Sequence, residues 1–191
     1  MKKALLIASV LFIAVISTAC INNIAVQELN NKANEYMQKG DYESAMNRLQ
    51  ASIDLDATMY ETYYNLGIAA TNAKKYDTAI DAFENGIKLK PNHADFYYSL
   101  GVAQATYADE LVETTVFDKD KNEKVDRKVS DEDKTKAEGL KIAALENLKK
   151  YLEMEPNAED KDTVEDLIKD CEAFGQQENS SAQTKTIEVG G

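Results

Sequence analysis

Residues 60–93 read YETYYNLGIAATNAKKYDTAIDAFENGIKLKPNH, and this stretch decides the fold. Tyr63, Leu66, Gly67 and Ala70 fall at i, i+3, i+4 and i+7, the spacing of one helix face. A second apolar stripe carries Ala79 and Phe83 and is stopped by Pro91. Moving outward, the first set returns 34 residues later as Tyr97, Leu100, Gly101 and Gln104. Ala45 and Leu49 precede Ala79 and Phe83 by the same 34. Self-similarity at a fixed period of this length means a stacked supersecondary unit, in this case a pair of helices.

This pattern resembles the tetratricopeptide (TPR) repeat. The resemblance implies an all-α, right-handed solenoid of about three helix-hairpin repeats with a C-terminal capping helix. In that family small residues sit where the two helices of a repeat approach, and larger apolar residues fill the space between repeats. Gly67, Gly101, Ala45 and Ala79 take the small positions, and Tyr63, Tyr97, Phe83 and Leu49 are the fillers.

The repeats run over about 26–59, 60–93 and 94–158. The first departs from the pattern, with Lys32 in place of an apolar residue and Ala57 in place of proline, as suits a terminal repeat whose outer side meets solvent. In the third, Ala144 and Pro156 each lie 65 residues after Ala79 and Pro91, which implies a 31-residue insertion between its two helices, near 108–138. Within it, Thr114 to Phe117 is expected to face Lys124 to Val129 as a hairpin. Ser130 and Asp133 form a capping box from which helix resumes and runs to Glu155. An amphipathic capping helix is expected at about 160–174, and the polar residues 175–191 are expected to be disordered.

Two prolines, eight glycines and a wealth of Ala, Leu, Lys and Glu suit helices. Residues 1–19 lie outside the fold: Lys2 and Lys3 form a basic start, Ala4 to Ile16 an apolar core, and Ser17, Thr18 and Ala19 a small-residue end before Cys20. The apolar core falls short of the ~20 residues that span a bilayer, so a cleaved export signal is expected. The junction resembles a bacterial lipobox, which implies a lipid on Cys20 and a short tether over 20–25; the family's branched aliphatic residue three places earlier is Ser17 here. An ordinary signal peptidase could also cut at this bond. The resemblances together describe a TPR lipoprotein of the bacterial cell envelope, on its periplasmic or surface side.

Removing the leader takes the formal charge from −12 to −14, which disfavours nucleic acid as a ligand. Cys171, the other cysteine, shares a helical stripe with Val164, Leu167, Ile168 and Phe174 and is expected to be a buried free thiol. His93, the single histidine, falls in a turn after Pro91 and Asn92. No P-loop, dinucleotide turn, HExxH or nucleophile–base set is present, so no catalytic residue and no cofactor is assigned. Asp118, Asp120 and Asn122 alternate like the start of a Ca²⁺ loop, but Glu123 and Val129 replace its glycine and its glutamate, so no metal is assigned.

What remains is a binding surface. The TPR resemblance implies a groove lined by the first helix of each repeat, here by Asn30 and Asn34, then Tyr64, Asn65 and Ile68, then Tyr98, Ser99 and Val102. Side-chain amides can pair with a peptide backbone and tyrosines can cover its side chains. The family's carboxylate clamp is not expected: Asn34 and Asn65 match its asparagines, but Asn30, Asp95 and Ser99 stand at its basic positions. The expected function is a non-catalytic scaffold or assembly factor that binds another envelope protein or peptide segment. The alternative is a subunit of an envelope transport system that holds a small apolar ligand. Anchorage is checked by metabolic labelling with a fatty-acid analogue: Cys20→Ser should lose both label and membrane partition, and retention of both would place the anchor elsewhere.

Overall fold

The structure, a computed structural model, describes residues 23–118 and 123–188. Cys20, the leader and residues 119–122 of the Ca²⁺-like string therefore lie outside the described residues. The chain divides into two compact units, one ending at Lys90 and the other beginning at Pro91.

The first unit holds helices α1 (residues 23–38), α2 (Tyr42–Leu55), α3 (Tyr60–Asn72) and α4 (Tyr76–Leu89). The turn within each of its two hairpins needs one left-handed residue. Gly40 supplies it at φ 73° and Lys74, 34 residues on, at φ 57°. Asp41 caps α2 by accepting a hydrogen bond from the Ser44 amide. Where the proline is missing between the repeats, the Asp56 carboxylate accepts from both the amide and the hydroxyl of Thr58 and holds the turn instead. Ala33, Ala45, Leu49, Leu66, Ala69 and Ala82 form the core. Lys32, by contrast, is exposed and pairs with Glu35.

The second unit begins with α5 (Ala94–Val112), followed by strands β1 (Thr115–Asp118) and β2 (Glu123–Asp126), then α6 (Asp131–Met154) and α7 (Lys161–Glu188). The strands pair antiparallel with Val116 opposite Val125, and the Arg127 amide donates to the Thr114 carbonyl just beyond them. This is the expected hairpin. Other residues of the insertion lengthen the helices on either side: α5 has 19 residues against 13 in α3, and α6 has 24 against 14 in α4. Ser130 accepts from the Asp133 amide as the N-cap of α6. Ala108, which stands 34 residues after Lys74, is fully buried inside α5, so the third hairpin has no turn at that place.

Helix α7 packs on α6 and brings Val164 and Cys171 to the core, the latter 4% exposed with its thiol pushed up by burial. It also corrects one expectation: helix continues through residues 175–188, read in sequence as disordered. Gln and Glu supply five of these fourteen residues and none is proline, and a continuing helix tolerates the single Gly175 at about 1 kcal/mol. The Lys141 side chain, 2% exposed, joins three helices by pairing at 2.7 Å with Asp109 of α5 and with Asp170 of α7. Burial alone would lower its pKa; the two carboxylates outweigh this and the pKa is raised.

The glycines show how closely the paired helices approach. A Cβ on Gly67 would lie 2.3 Å from the Phe83 ring, and one on Gly101 2.8 Å from Leu148 Cγ, whereas one on Gly139 would meet nothing within 4 Å. Phe83 and Leu148 are fully buried and have no free volume to retreat into. Gly67→Ala should therefore be destabilised by about 1 to 3 kcal/mol of overpacking, offset in part by a better helix former. Gly139→Ala should gain about 0.5 to 1 kcal/mol. Melting temperatures that move in opposite directions confirm the pairing, and a shared direction refutes it.

Candidate interaction surface

The residues expected to line a groove separate into two groups. Asn30 is turned inward: its amide Nδ2 lies 2.8 Å from Ser52 Oγ on α2 and 3.1 Å from Thr62 Oγ1 on α3, both fully buried, and 2.9 Å from the Val26 carbonyl. Tyr64 is half-buried with its ring 6.0 Å from that of Phe83, on the second helix of its own hairpin. Tyr98 repeats this in the second unit, 5.2 Å from the Tyr151 ring on α6. Ser99 is buried, and Val102 packs with Leu148 and Val164.

These four pack within the hairpins, as does Asn30. The reason is periodic. Positions 30, 64 and 98 are equivalent, and the matching place on each second helix holds Ser52, Gly86 and Tyr151. Asn30 bonds Ser52, and Tyr98 stacks on Tyr151. Tyr151 is itself held by donating to Asp160 Oδ1 at 2.8 Å, and burial first, then this carboxylate, pushes its pKa up to about 12.

Asn34, Asn65 and Ile68 remain. Asn34 is exposed, Asn65 and Ile68 are half-buried, and all three belong to the first helices of the hairpins in the first unit. Neither asparagine amide makes a hydrogen bond among the described residues, in contrast to Asn30, and to Asn72, which donates to the Ile68 carbonyl. His93 stands at the N-cap of α5, sets its ring edge-on against Phe96 and lies 3.7 Å from the Asp95 carboxylate. Among the described residues no group of three His, Cys, Asp or Glu is placed to hold a metal ion, and no helix is long and apolar enough to cross a membrane.

Two family models match: one described as tetratricopeptide repeat over residues 60–93 and one as TPR repeat over 33–70. The chain carries TPR repeats. Both models describe a repeat and neither a catalytic family. A comparison with curated proteins found no match. Among solved structures the chain is similar to the TPR2B domain of yeast Sti1 in an Hsp70 complex, with a TM-score of 0.58 at 16% identity over 78% of this chain and 98% of that one. The second TPR domain of human RPAP3, bound to an HSP70 peptide, gives 0.57 at 16% identity over 78% and 98%. The Yersinia enterocolitica type III secretion chaperone SycD, with a peptide of the translocator YopD, gives 0.56 at 17% identity over 80% and 93%. The shared feature is the all-α TPR fold.

These packing roles are checked by stability. Tyr98→Ala removes a half-buried ring from the Tyr151 contact and should cost about 2 kcal/mol or more. Asn65→Ala, which breaks no internal bond, should stay within about 0.5 kcal/mol of wild type. Equal melting curves for the two variants would return Tyr98 to the surface.

Proposed function

We propose that this protein is a non-catalytic interaction scaffold of the bacterial cell envelope, anchored by a lipid on Cys20, that holds a segment of a partner protein against the first helices of its repeats. The observation that carries the reading is the state of Asn34 and Asn65. Unlike Asn30 and Asn72 on the same two helices, whose amides donate internally, these two have donors and an acceptor to spare, with Ile68 one turn from Asn65. An extended peptide presents alternating N–H and C=O groups that two such amides can pair, and Ile68 covers an adjacent apolar side chain. Three structures of the same fold hold peptides or partners, which supports the reading by analogy. The anchor is supported by the leader and the small residues before Cys20.

Affinity purification from solubilised envelope membranes, followed by measured affinity for the protein it retains, tests this. Replacing Asn34, Asn65 and Ile68 together by alanine should weaken binding at least tenfold, about 1.4 kcal/mol, with an unchanged circular dichroism spectrum. A partner that binds the triple variant as tightly as wild type, or a wild type that retains no specific partner, overturns it.

A further inference from the structure

In the second unit a cleft of about 530 Å³ opens between the β-hairpin and helices α5, α6 and α7. Its apolar wall is Val112, Val129 and Phe174, and its rim carries Arg127, Lys128 and Lys134. The cations are out of character for their surroundings. The chain has 34 acidic side chains to 22 basic ones, and elsewhere in this unit Lys141, Lys149, Lys150 and Lys169 each reach a carboxylate at 3.0 Å or less. Arg127 and Lys128 have no carboxylate partner among the described residues, and Lys134 faces only the exposed Asp131 at 3.7 Å.

Arg127 is nonetheless fixed. One of its terminal nitrogens donates to the Leu111 carbonyl in the last turn of α5, while its buried Nε has no acceptor. A held but uncompensated guanidinium costs stability and is not explained by the fold, whereas an incoming carboxylate would neutralise it. Phe174 in the apolar wall has a partner as well, since the Lys141 ammonium lies 5.6 Å from the centre of its ring. Strand β2 runs directly into Arg127, Lys128 and Val129, and the two-stranded sheet has an outer edge on each strand with no further strand beside it among the described residues. An extended backbone can align on such an edge.

We infer that this cleft docks an acidic segment of a partner protein, one in which a carboxylate side chain neighbours an aliphatic or aromatic one. The carboxylate meets Arg127 and Lys128, the apolar side chain enters between Val129 and Phe174, and the backbone follows the strand edge. The site is separate from the asparagine-bearing face and does not depend on it.

The test pans random linear peptides displayed on phage against the full mature protein, in parallel with Arg127→Gln/Lys128→Gln. Peptides selected on wild type should be enriched in Asp or Glu beside an apolar residue. The strongest, made synthetically, should bind wild type at least tenfold more tightly than the double variant and should weaken as salt rises. Lys128→Gln/Lys134→Gln keeps the Arg127 bond to Leu111 and should still lose several-fold, which separates lost charge from a disturbed hairpin. The alanine triple variant of Asn34, Asn65 and Ile68 should bind this peptide as wild type does, so that failure here and failure of the scaffold reading remain distinct. Peptides without acidic enrichment, equal binding by the charge variants, or binding of sodium dodecanoate with no peptide selected would each overturn the proposal.

Discussion

Everything else in this molecule depends on how closely two helices approach at a glycine. At Gly67 and again at Gly101 a side chain of the facing helix, Phe83 or Leu148, occupies the space a methyl group would need. Dispersion falls off steeply with distance, so a gap there would forfeit much of the contact, and a clash would force the hairpin open. The period of 34 follows from this constraint, because each hairpin must bring its small residue to the same depth. Buried alanines such as Ala45, Ala79 and Ala144 serve the same close approach from the opposite helix.

The third hairpin keeps that contact and alters what surrounds it. Without a left-handed residue at 108, α5 runs on past the point where α1 and α3 have turned, and α6 begins correspondingly early, so the inserted residues extend a helix pair and crown it with two strands. The added length carries its own polar links. Gln104, at the place of Ala70, is buried and accepts from the Asn147 side chain, and Lys141 ties α5, α6 and α7 together. Removing either aspartate would strand part of a buried charge, which is why such networks hold one arrangement in preference to others.

Much of this was legible from the order of residues alone. The helices, the capping of α6 by Ser130 and a hairpin, expected with Thr114 to Phe117 facing Lys124 to Val129 and found one residue away as Thr115–Asp118 on Glu123–Asp126, follow from local pattern, since turn chemistry and apolar spacing act within a few residues. The site was less so. Tyr64 and Tyr98 recur at one period and look like exposed anchors, yet their direction is decided by the helix opposite. The signal was present in the pairs: Asn30 with Ser52 and Tyr98 with Tyr151 match in polarity or size across their hairpins. The tail differed for another reason, as its polar composition argues against a core but not against the continuation of a helix already begun at Lys161.

The main packing partners are consecutive along the chain: α2 with α3, α3 with α4, α5 with α6, α6 with α7, and β1 with β2. Each therefore closes a short loop, whose entropic cost is small. Low contact order of this kind is associated with folding in microseconds to milliseconds. An early hairpin can complete its glycine contact while later residues are still absent, so a chain delivered from its N-terminus need not wait for its end before it acquires structure.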